Sequence, residues 1–204
     1  MEYAIIILLA YLLGSSNMAF YLSKWKKVDI RKSGSGNLGT SNATILLGLG
    51  PGVVVGIHDI GKAAVAVLLA EFFFPQLEYA GAVAGVACVM GHIFPFYLRF
   101  KGGKGFAPYL GMTLAMNWKL ALVVLVLVVL VTLITDYLVL GTMTTIVVVP
   151  AAEMVFTRSA ILLLILLVAT VTIFFRHWDN FGRLRNGTEI RLRDTKDGRY
   201  KITK

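Results

Sequence analysis

The sequence has few of the residues on which soluble domains and metal sites depend. Only 15% of its 204 residues are charged, and Cys88 is the single cysteine. One cysteine cannot form an intrachain disulfide, and no two of the three histidines stand at ligand spacing. With 57% hydrophobic residues and a mean hydropathy of +0.77, the chain lies outside the range of soluble domains. We therefore expect an integral membrane protein without a metal or another cofactor.

Acidic residues are also scarce. Eleven Asp and Glu stand against 20 Lys and Arg, which gives a net charge of +9. Such a surplus suits cytoplasmic loops and anionic lipid headgroups, whereas no basic module interleaved with aromatic residues argues for nucleic acid.

Internal repeats and low-complexity linkers are missing as well. One membrane-embedded domain over residues 1–204 is the expected organisation, and the sequence does not indicate the oligomeric state.

What the chain does contain is apolar runs of bilayer length. A spanning helix needs about 20 such residues. Six runs approach that length: Tyr3–Tyr21, Val53–Phe74, Leu77–Leu98, Trp118–Ile134, Tyr137–Phe156 and Ala160–Phe175. A seventh run, Phe106–Asn117, has about a dozen residues and would reach only about 18 Å as a helix. Whether this short run crosses the membrane decides the topology.

The distribution of positive charge favours seven spans. Cytoplasmic loops collect Lys and Arg. If the short run crosses, all but three of the 20 basic residues fall on the cytoplasmic side, the exceptions being Lys62, Lys119 and Arg158. With six spans the basic tail would be exported instead. We predict an all-α integral membrane protein with seven transmembrane helices, N-out and C-in, with one short span. The tail, Thr188–Ile202, alternates in polarity and predicts a small cytoplasmic hairpin.

Three polar, glycine-rich segments emerge on the cytoplasmic side of this topology. Glycine lets the free N–H groups of a backbone approach an oxyanion closely, and Lys or Arg supplies charge, so such loops are typical phosphate sites. The alternative is that they are ordinary turns carrying the usual cytoplasmic lysines, but three on one face favour binding. Their notable residues are Arg31, Gly34, Ser35, Gly36, Asn37 and Asn42; Lys101, Gly102, Gly103, Lys104 and Gly105; and His177, Asn180 and Arg183.

Charged residues also occur inside the second span. The stretch Gly56–Lys62 begins like a nucleotide-binding Walker A loop, but Ala63 replaces the Ser or Thr that would hold magnesium. Asp59 and Lys62 stand one turn apart, where each unpaired charge costs about 2.5 to 3.5 kcal/mol on insertion scales. Two interpretations stay open: the pair neutralises itself and braces helices, or it touches the functional site.

The histidines divide into one catalytic candidate and two structural ones. His58 lies inside a span, where packing or hydrogen bonding is expected, and His92 is expected to orient the loop that follows it. His177 is the best candidate for a general base. Asn180 stands nearly one helical turn after it, so both side chains can face the same site. No histidine is followed by Asp at the fifth position, which argues against the His-x4-Asp acyltransferases.

These segments together resemble the bacterial acyl-phosphate:glycerol-3-phosphate acyltransferases of the PlsY type, over essentially the whole chain. The residues that carry the resemblance are Asp29–Arg31, Gly34–Asn37, Gly39, Asn42, Gly91–Pro95, Phe100–Gly105, His177, Asn180, Arg183, Leu184, Gly187 and Glu189, with Gly14, Ser15, Asp59 and Lys62 in the spans. Departures include Ser16 and Asn17, Ala63, Trp178, and Ile45, which stands where relatives carry an arginine. The Ile45 change removes one possible phosphate contact.

The resemblance implies a reaction and a set of roles. An acyl chain would pass from acyl phosphate to glycerol 3-phosphate in the bacterial inner membrane, with membrane lipids as surroundings. Ser35, Gly36, Asn37 and Arg31 would hold one phosphate and the 101–105 loop the other, in this order or the reverse. His177 and Asn180 would hold the acceptor, and either His177 or the donor phosphate would take the proton. Glu189 would brace the tail by pairing with Arg183. A transporter using His58, Asp59 and Lys62 is the alternative.

Overall fold

The computed structural model describes residues 1–196, and this part of the chain is helical throughout. Eleven α-helices are present within these residues: α1 (Glu2–Ser15), α2 (Met18–Trp25), α3 (Thr40–Leu47), α4 (Leu49–Phe73), α5 (Ala80–Ile93), α6 (Phe106–Met116), α7 (Trp118–Thr135), α8 (Leu138–Thr157), α9 (Ala160–Arg176), α10 (Trp178–Arg185) and α11 (Leu192–Lys196). A 3₁₀ turn, Phe96–Leu98, follows α5. The chain forms two compact units, Met1–Met116 and a second that begins at Asn117.

In the first unit, the apolar run at the N terminus is broken into α1 and α2. The Asn17 side chain accepts a hydrogen bond from the Phe20 N–H at 2.8 Å and so caps α2. Asn is a strong N-cap residue because its oxygen satisfies an N–H that has no acceptor within the helix. A new helix therefore begins inside a run that the sequence presents as continuous.

Small residues bring α1, α4 and α5 close together. The backbone of Cys88 on α5 lies against Gly14 on α1, where a side chain would not fit. Cys88 is buried with alanines of all three helices in one apolar cluster. Cys88 thus belongs to a face of small residues, and the close approach supplies the van der Waals packing that holds membrane helices together.

Five helical segments of the described chain are long and apolar enough to span a membrane: Glu2–Trp25, Leu49–Phe73, Ala80–Leu98, Trp118–Thr135 and Leu138–Thr157. A sixth is the pair α9 and α10, which is bent by 42° at His177. The seventh predicted span corresponds to α6, an apolar helix of only 11 residues. Seven spans and their orientation thus remain a prediction.

The second unit packs α7 against α8 and α8 against α9. Its C-terminal segment differs from the predicted hairpin. Over residues 188–196 there is no strand, and Leu192–Lys196 forms a short helix held by hydrogen bonds from the Leu192 and Arg193 N–H groups to Asp136. The predicted turn at Asp197 and Gly198 lies outside the described residues. Alternating polarity over so few residues does not distinguish a strand from a short helix. Here a single helical turn, anchored at its first residues, has the same pattern of polarity.

Candidate active site

The first loop, residues 30–39 between α2 and α3, is organised by the buried amide of Asn42. Its Nδ2 donates to the carbonyl oxygens of Ile30 at 2.9 Å and Asn37 at 3.0 Å, and its Oδ1 accepts the Ser35 N–H at 3.0 Å. One side chain of α3 thus holds both ends and the middle of the loop. Asn42, predicted only as a supporting residue, is its structural centre.

This loop presents Ser35 and Gly36 to the surface, with Asn37 half-buried beside them. Gly34 and Gly36 have φ values of +61° and +68°, which L residues with side chains rarely adopt. The N–H groups of Ser35 and Gly36 are bonded inside the loop, the latter to the Ser33 carbonyl at 3.1 Å. The polar atoms available for a phosphate are therefore side-chain atoms, such as Ser35 Oγ, rather than these backbone N–H groups.

Arg31 is exposed and already has an anionic partner. Its guanidinium donates to the two carboxylate oxygens of Asp29 at 3.0 and 3.2 Å. This bond lowers the pKa of the Asp29 carboxyl below its usual value and raises that of Arg31. An incoming phosphate must therefore compete with Asp29 for Arg31, or share it.

The second loop, residues 99–105, is fastened to the end of α5. The Gly102 N–H donates to the Ile93 carbonyl at 3.0 Å, and the Gly103 N–H donates to the His92 carbonyl at 3.1 Å. These two glycines thus shape the loop. The sequence had suggested instead that their N–H groups bind an anion, but both groups are bonded to α5. Gly105 (φ +93°) ends the loop, and α6 begins at the next residue, as expected. Lys101 is exposed and Lys104 is half-buried.

Beneath the second loop, α4 and α5 enclose a buried polar cluster of Asp59, Lys62 and His92. Lys62 Nζ lies 2.9 Å from Asp59 Oδ1 and 3.0 Å from His92 Nδ1. His92 Nδ1 also lies 3.4 Å from Asp59 Oδ1, so this nitrogen faces the charged pair, and the ring turns its Nε2 edge away from it. Gly103 lies directly against that edge of the ring, because a Cβ there would overlap Nε2. The Asp59–Lys62 pair therefore both neutralises itself and reaches the glycine-rich loop through His92.

The first two loops share an apolar core within the first unit. Ile30 and Leu38 of the first loop are buried in one cluster with Leu98, which directly precedes the second loop. The Asn17 amide, at the break between α1 and α2, donates to the Leu38 carbonyl at 3.3 Å. The structure thus brings the first two predicted segments together.

The third segment belongs to the second unit. His177 occupies the bend between α9 and α10, is buried, and has its Nδ1 2.8 Å from the Ile173 carbonyl oxygen. A carbonyl only accepts, so the hydrogen is on Nδ1 and Nε2 is the basic nitrogen of the neutral ring. The Asn180 N–H donates to the His177 carbonyl at 2.9 Å, so the two residues stay one turn apart across the bend.

Asn180 is held in place by the segment that follows α10. Its Nδ2 donates to Glu189 Oε1 at 2.6 Å, and Arg183 Nε donates to Glu189 Oε2 at 2.7 Å. The predicted pairing of Glu189 with Arg183 is present. Glu189 thereby braces Asn180 as well, which the sequence did not indicate.

Sequence reasoning missed the hydrogen bonds of Ser16 and Asn17 around the α1–α2 break, whereas the hydrogen bonding expected of His58 is present. Ser16, Asn17 and His58 all hydrogen-bond across elements there, and Tyr97 donates to the Ser15 carbonyl at 3.0 Å. The sequence feature that could have predicted this break is the Ser-Ser-Asn run inside an apolar stretch, because Asn and Ser are typical helix caps.

The family profile described as "Glycerol-3-phosphate acyltransferase" matches residues 4–187, which include all three segments. The chain belongs to the glycerol-3-phosphate acyltransferase family. Similar curated proteins carry the same name. One from Coxiella burnetii (strain CbuG_Q212) is 36% identical over 194 residues, 95% of this chain and 100% of that protein. Another, from Lactiplantibacillus plantarum, is 33% identical over 93% of this chain and 91% of that protein.

Among solved structures, this acyltransferase is similar to crystal structures of PlsY (YgiH), an integral membrane glycerol 3-phosphate acyltransferase. The glycerol 3-phosphate form is 31% identical and has a TM-score of 0.90, covering 98% of this chain and all of that one. The lysophosphatidic acid form is 32% identical with a TM-score of 0.85, covering 94% and 95%. The chain therefore has the fold of an integral membrane acyltransferase, and the transporter alternative finds no support in these matches.

Proposed function

We propose that this acyltransferase uses acyl phosphate as donor and sn-glycerol 3-phosphate as acceptor, and releases lysophosphatidic acid and inorganic phosphate. The acceptor and product are those named for the two similar crystal forms. The donor follows from the resemblance of the three motifs. The site is proposed to work at the cytoplasmic face of the bacterial inner membrane, in a seven-span, N-out, C-in topology in which α6 is the short span.

The observation that carries this proposal is the pair of polar loops in the first unit. Ser35 and Arg31 on one loop and Lys101 and Lys104 on the other are presented by backbones whose own hydrogen bonds are largely satisfied internally. Two phosphorylated substrates need two such sets of anion contacts. Because the core that includes Ile30, Leu38 and Leu98 joins the loops, the two phosphates can be held at a defined separation.

Each sequence-predicted residue receives a role in this proposal. Ser35 and Asn37 contact the acyl-phosphate group with Arg31, on a loop shaped by Gly34 and Gly36 and held by Asn42. Lys101 and Lys104 bind the glycerol 3-phosphate on the loop shaped by Gly102, Gly103 and Gly105. Asp59, Lys62 and His92 fix that second loop. His177 and Asn180 hold the acceptor hydroxyls, with Arg183 and Glu189 behind Asn180.

The chemical step transfers one acyl group between two oxygens. A glycerol hydroxyl oxygen attacks the carbonyl carbon of the mixed anhydride, the bond from that carbon to the phosphate oxygen breaks, and phosphate leaves. The hydroxyl proton passes to His177 Nε2 or to a phosphate oxygen of the donor. Donors such as Lys104 Nζ and Ser35 Oγ stabilise the negative charge that develops.

The test is a transfer assay on the purified protein with palmitoyl phosphate and glycerol 3-phosphate. We expect equal amounts of inorganic phosphate and lysophosphatidate, and no product when palmitoyl-CoA replaces palmitoyl phosphate. Ser35→Ala and Lys104→Ala should each lose about 100-fold or more in kcat, the usual effect of removing one donor to a developing oxyanion. Product from palmitoyl-CoA, or near-normal activity of both variants, would contradict the proposal.

A further inference from the structure

A row of hydrogen-bonded side chains runs from Ser16, at the break between α1 and α2, to Asp59 of the buried cluster. Ser16 Oγ is 2.8 Å from His58 Nε2, and His58 Nδ1 is 3.2 Å from Asp59 Oδ1. A hydroxyl bonded to an imidazole, whose other nitrogen faces a carboxylate, is the arrangement that activates nucleophilic serines on unrelated folds. The proposed transfer reaction does not use Ser16 or His58.

The hydrogen bonds of the row can be assigned a direction. Asp59 is buried, but the Lys62 ammonium lies 2.9 Å from its Oδ1 and stabilises the carboxylate, which only accepts hydrogen bonds. The proton between Asp59 and His58 is therefore on His58 Nδ1, and when the ring is neutral its basic nitrogen is Nε2. Ser16 Oγ must then donate to Nε2. This is the state in which a histidine can remove the proton of an attacking hydroxyl.

The backbone around Ser16 is held in place. Lys62 Nζ donates to the Ser16 carbonyl at 2.7 Å, so the same lysine fixes both Asp59 and the serine. Helix α2 begins two residues later, and the N–H groups of its first turn, Met18 and Ala19, have no acceptors within the helix. These N–H groups face the end of α2 at which Ser16 lies, where an oxyanion formed at the serine would be stabilised.

The surroundings of the row indicate the class of substrate. The His58 side chain is 20% exposed, whereas that of Asp59 is 2% exposed, so the imidazole is open on one side. One helical turn before His58 and before Ser16 lie Val54 and Leu12, apolar side chains that are about half exposed. A hydroxyl in such apolar surroundings suits a long-chain acyl group rather than a polar one.

We propose that Ser16 is a second nucleophile of this protein, which accepts a fatty acyl group from acyl phosphate and forms an acyl-serine. Ser16 Oγ attacks the acyl carbonyl carbon and its proton passes to His58 Nε2. The bond from carbon to the phosphate oxygen breaks, and the departing phosphate takes that proton from His58, which is then neutral again. Water then attacks the ester carbonyl and gives its proton to His58, and Ser16 Oγ leaves and recovers a proton. The net reaction is slow hydrolysis of acyl phosphate to fatty acid and phosphate. The choice of donor rests on the proposed function.

The experiment locates the acyl group directly. The whole purified protein in detergent is treated with palmitoyl phosphate without glycerol 3-phosphate, digested, and analysed by mass spectrometry for an ester on the Ser15–Ser16 peptide. A parallel sample is treated with a hexadecyl fluorophosphonate, which labels activated serines. We expect palmitoyl and phosphonyl groups on Ser16. No adduct, or an adduct on Ser15, would overturn the proposal.

Matched variants test whether His58 activates Ser16 or whether Ser16 reacts without its help. His58→Gln should lower the labelling rate about 100-fold, within the range for loss of a general base, and Ser16→Ala should abolish it. Ser15→Ala is the control, because Ser15 Oγ donates to the Tyr11 carbonyl at 2.8 Å and has no histidine partner. If His58→Gln labels as fast as the parent protein, the proposal is wrong. Thermal unfolding of each variant shows whether it is folded, and the wild-type labelling result stands without any variant.

The outcome is independent of the main reaction. Formation of lysophosphatidate is measured in the same preparation after addition of glycerol 3-phosphate. Lysophosphatidate without a Ser16 adduct would overturn only the acyl-serine. A fluorophosphonate adduct on Ser16 without any lysophosphatidate would contradict the proposed function and leave the activated serine in place.

Discussion

The two units hold their functional segments with polar clusters that differ in their exposure to water. In the first, Asp59, Lys62 and His92 form a sealed cluster whose side chains are 2% to 3% exposed. In the second, Glu189 receives hydrogen bonds from Asn180 and from Arg183, whose side chain is 33% exposed. The first arrangement is enclosed between helices, whereas the second lies partly at a surface.

The difference sets how much each arrangement tolerates change. A buried charge that loses its partner cannot be solvated, which costs about 3 to 5 kcal/mol. In the Glu189–Arg183 pair the arginine side chain is 33% exposed and that of the glutamate 8%, so water partly screens the pair, which contributes about 1 kcal/mol. Mutations in the first cluster should therefore act on the stability of the protein and on the second loop together. Mutations around Glu189 should act mainly on Asn180.

The largest expected effect is that of Lys62→Met. It leaves the Asp59 carboxylate buried without its cation, so the free energy of unfolding should fall by about 3 to 5 kcal/mol. Thermal unfolding in detergent measures this loss, and Lys119→Met, at an exposed lysine, is the control. Adding Asp59→Asn to Lys62→Met should restore part of the stability because no net charge then remains buried. Equal unfolding temperatures for Lys62→Met and Lys119→Met would contradict the contrast between the units.

A smaller effect, confined to the second loop, is expected of Gly103→Ala. The added Cβ meets the His92 ring, which Lys62 holds in place, so either the ring or the loop must move. Overpacking of this kind costs about 1 to 3 kcal/mol. If the loop moves, KM for glycerol 3-phosphate should rise about tenfold or more. The transfer assay with varied acceptor concentration measures this rise.

Gly61→Ala provides the matched control for Gly103→Ala. A Cβ at Gly61, on α4 beside the cluster, meets no atom within 4 Å. Alanine also favours a helix over glycine by about 1 kcal/mol, so this variant should be no less stable and should keep its KM. An unchanged KM in Gly103→Ala would show that the cluster does not fix the loop.

The apolar runs were enough to predict the long apolar helices and the 11-residue apolar helix α6. The positions of the charges were also enough to pair Asp59 with Lys62 and Glu189 with Arg183, because each pair stands at a spacing that one turn or loop can close. The break at Ser16 and Asn17 was not predicted, since a cap inside an apolar run changes its hydropathy little.

The residues of the candidate site remain a prediction from the sequence, and their hydrogen bonds could not be predicted from it. That Asn42 holds the first loop depends on carbonyl groups up to 12 positions away, which local patterns do not reveal. The glycines of both loops were expected to offer their N–H groups to a phosphate. The expectation failed for the same reason, because these N–H groups make hydrogen bonds within the protein. Backbone hydrogen bonds in irregular loops are settled by tertiary contacts, whereas those within helices follow from the sequence pattern.

The smallest effect, and the one that sharpens the contrast, is expected of Glu189→Gln. The glutamine oxygen can still accept the Asn180 amide hydrogen, but the ion pair with Arg183 is lost. The cost is about 1 kcal/mol because the Arg183 guanidinium is partly exposed and water screens it. We expect a loss of activity of a few-fold with an unchanged unfolding temperature, and a larger loss for Glu189→Ala, which leaves Asn180 without this acceptor. Arg193→Gln is the control, because Arg193 is 3.8 Å from Asp136 and largely exposed. If Glu189→Gln instead destabilised the protein as much as Lys62→Met, the segment around Glu189 would be as essential to folding as the sealed cluster, and the contrast between the two units would not hold.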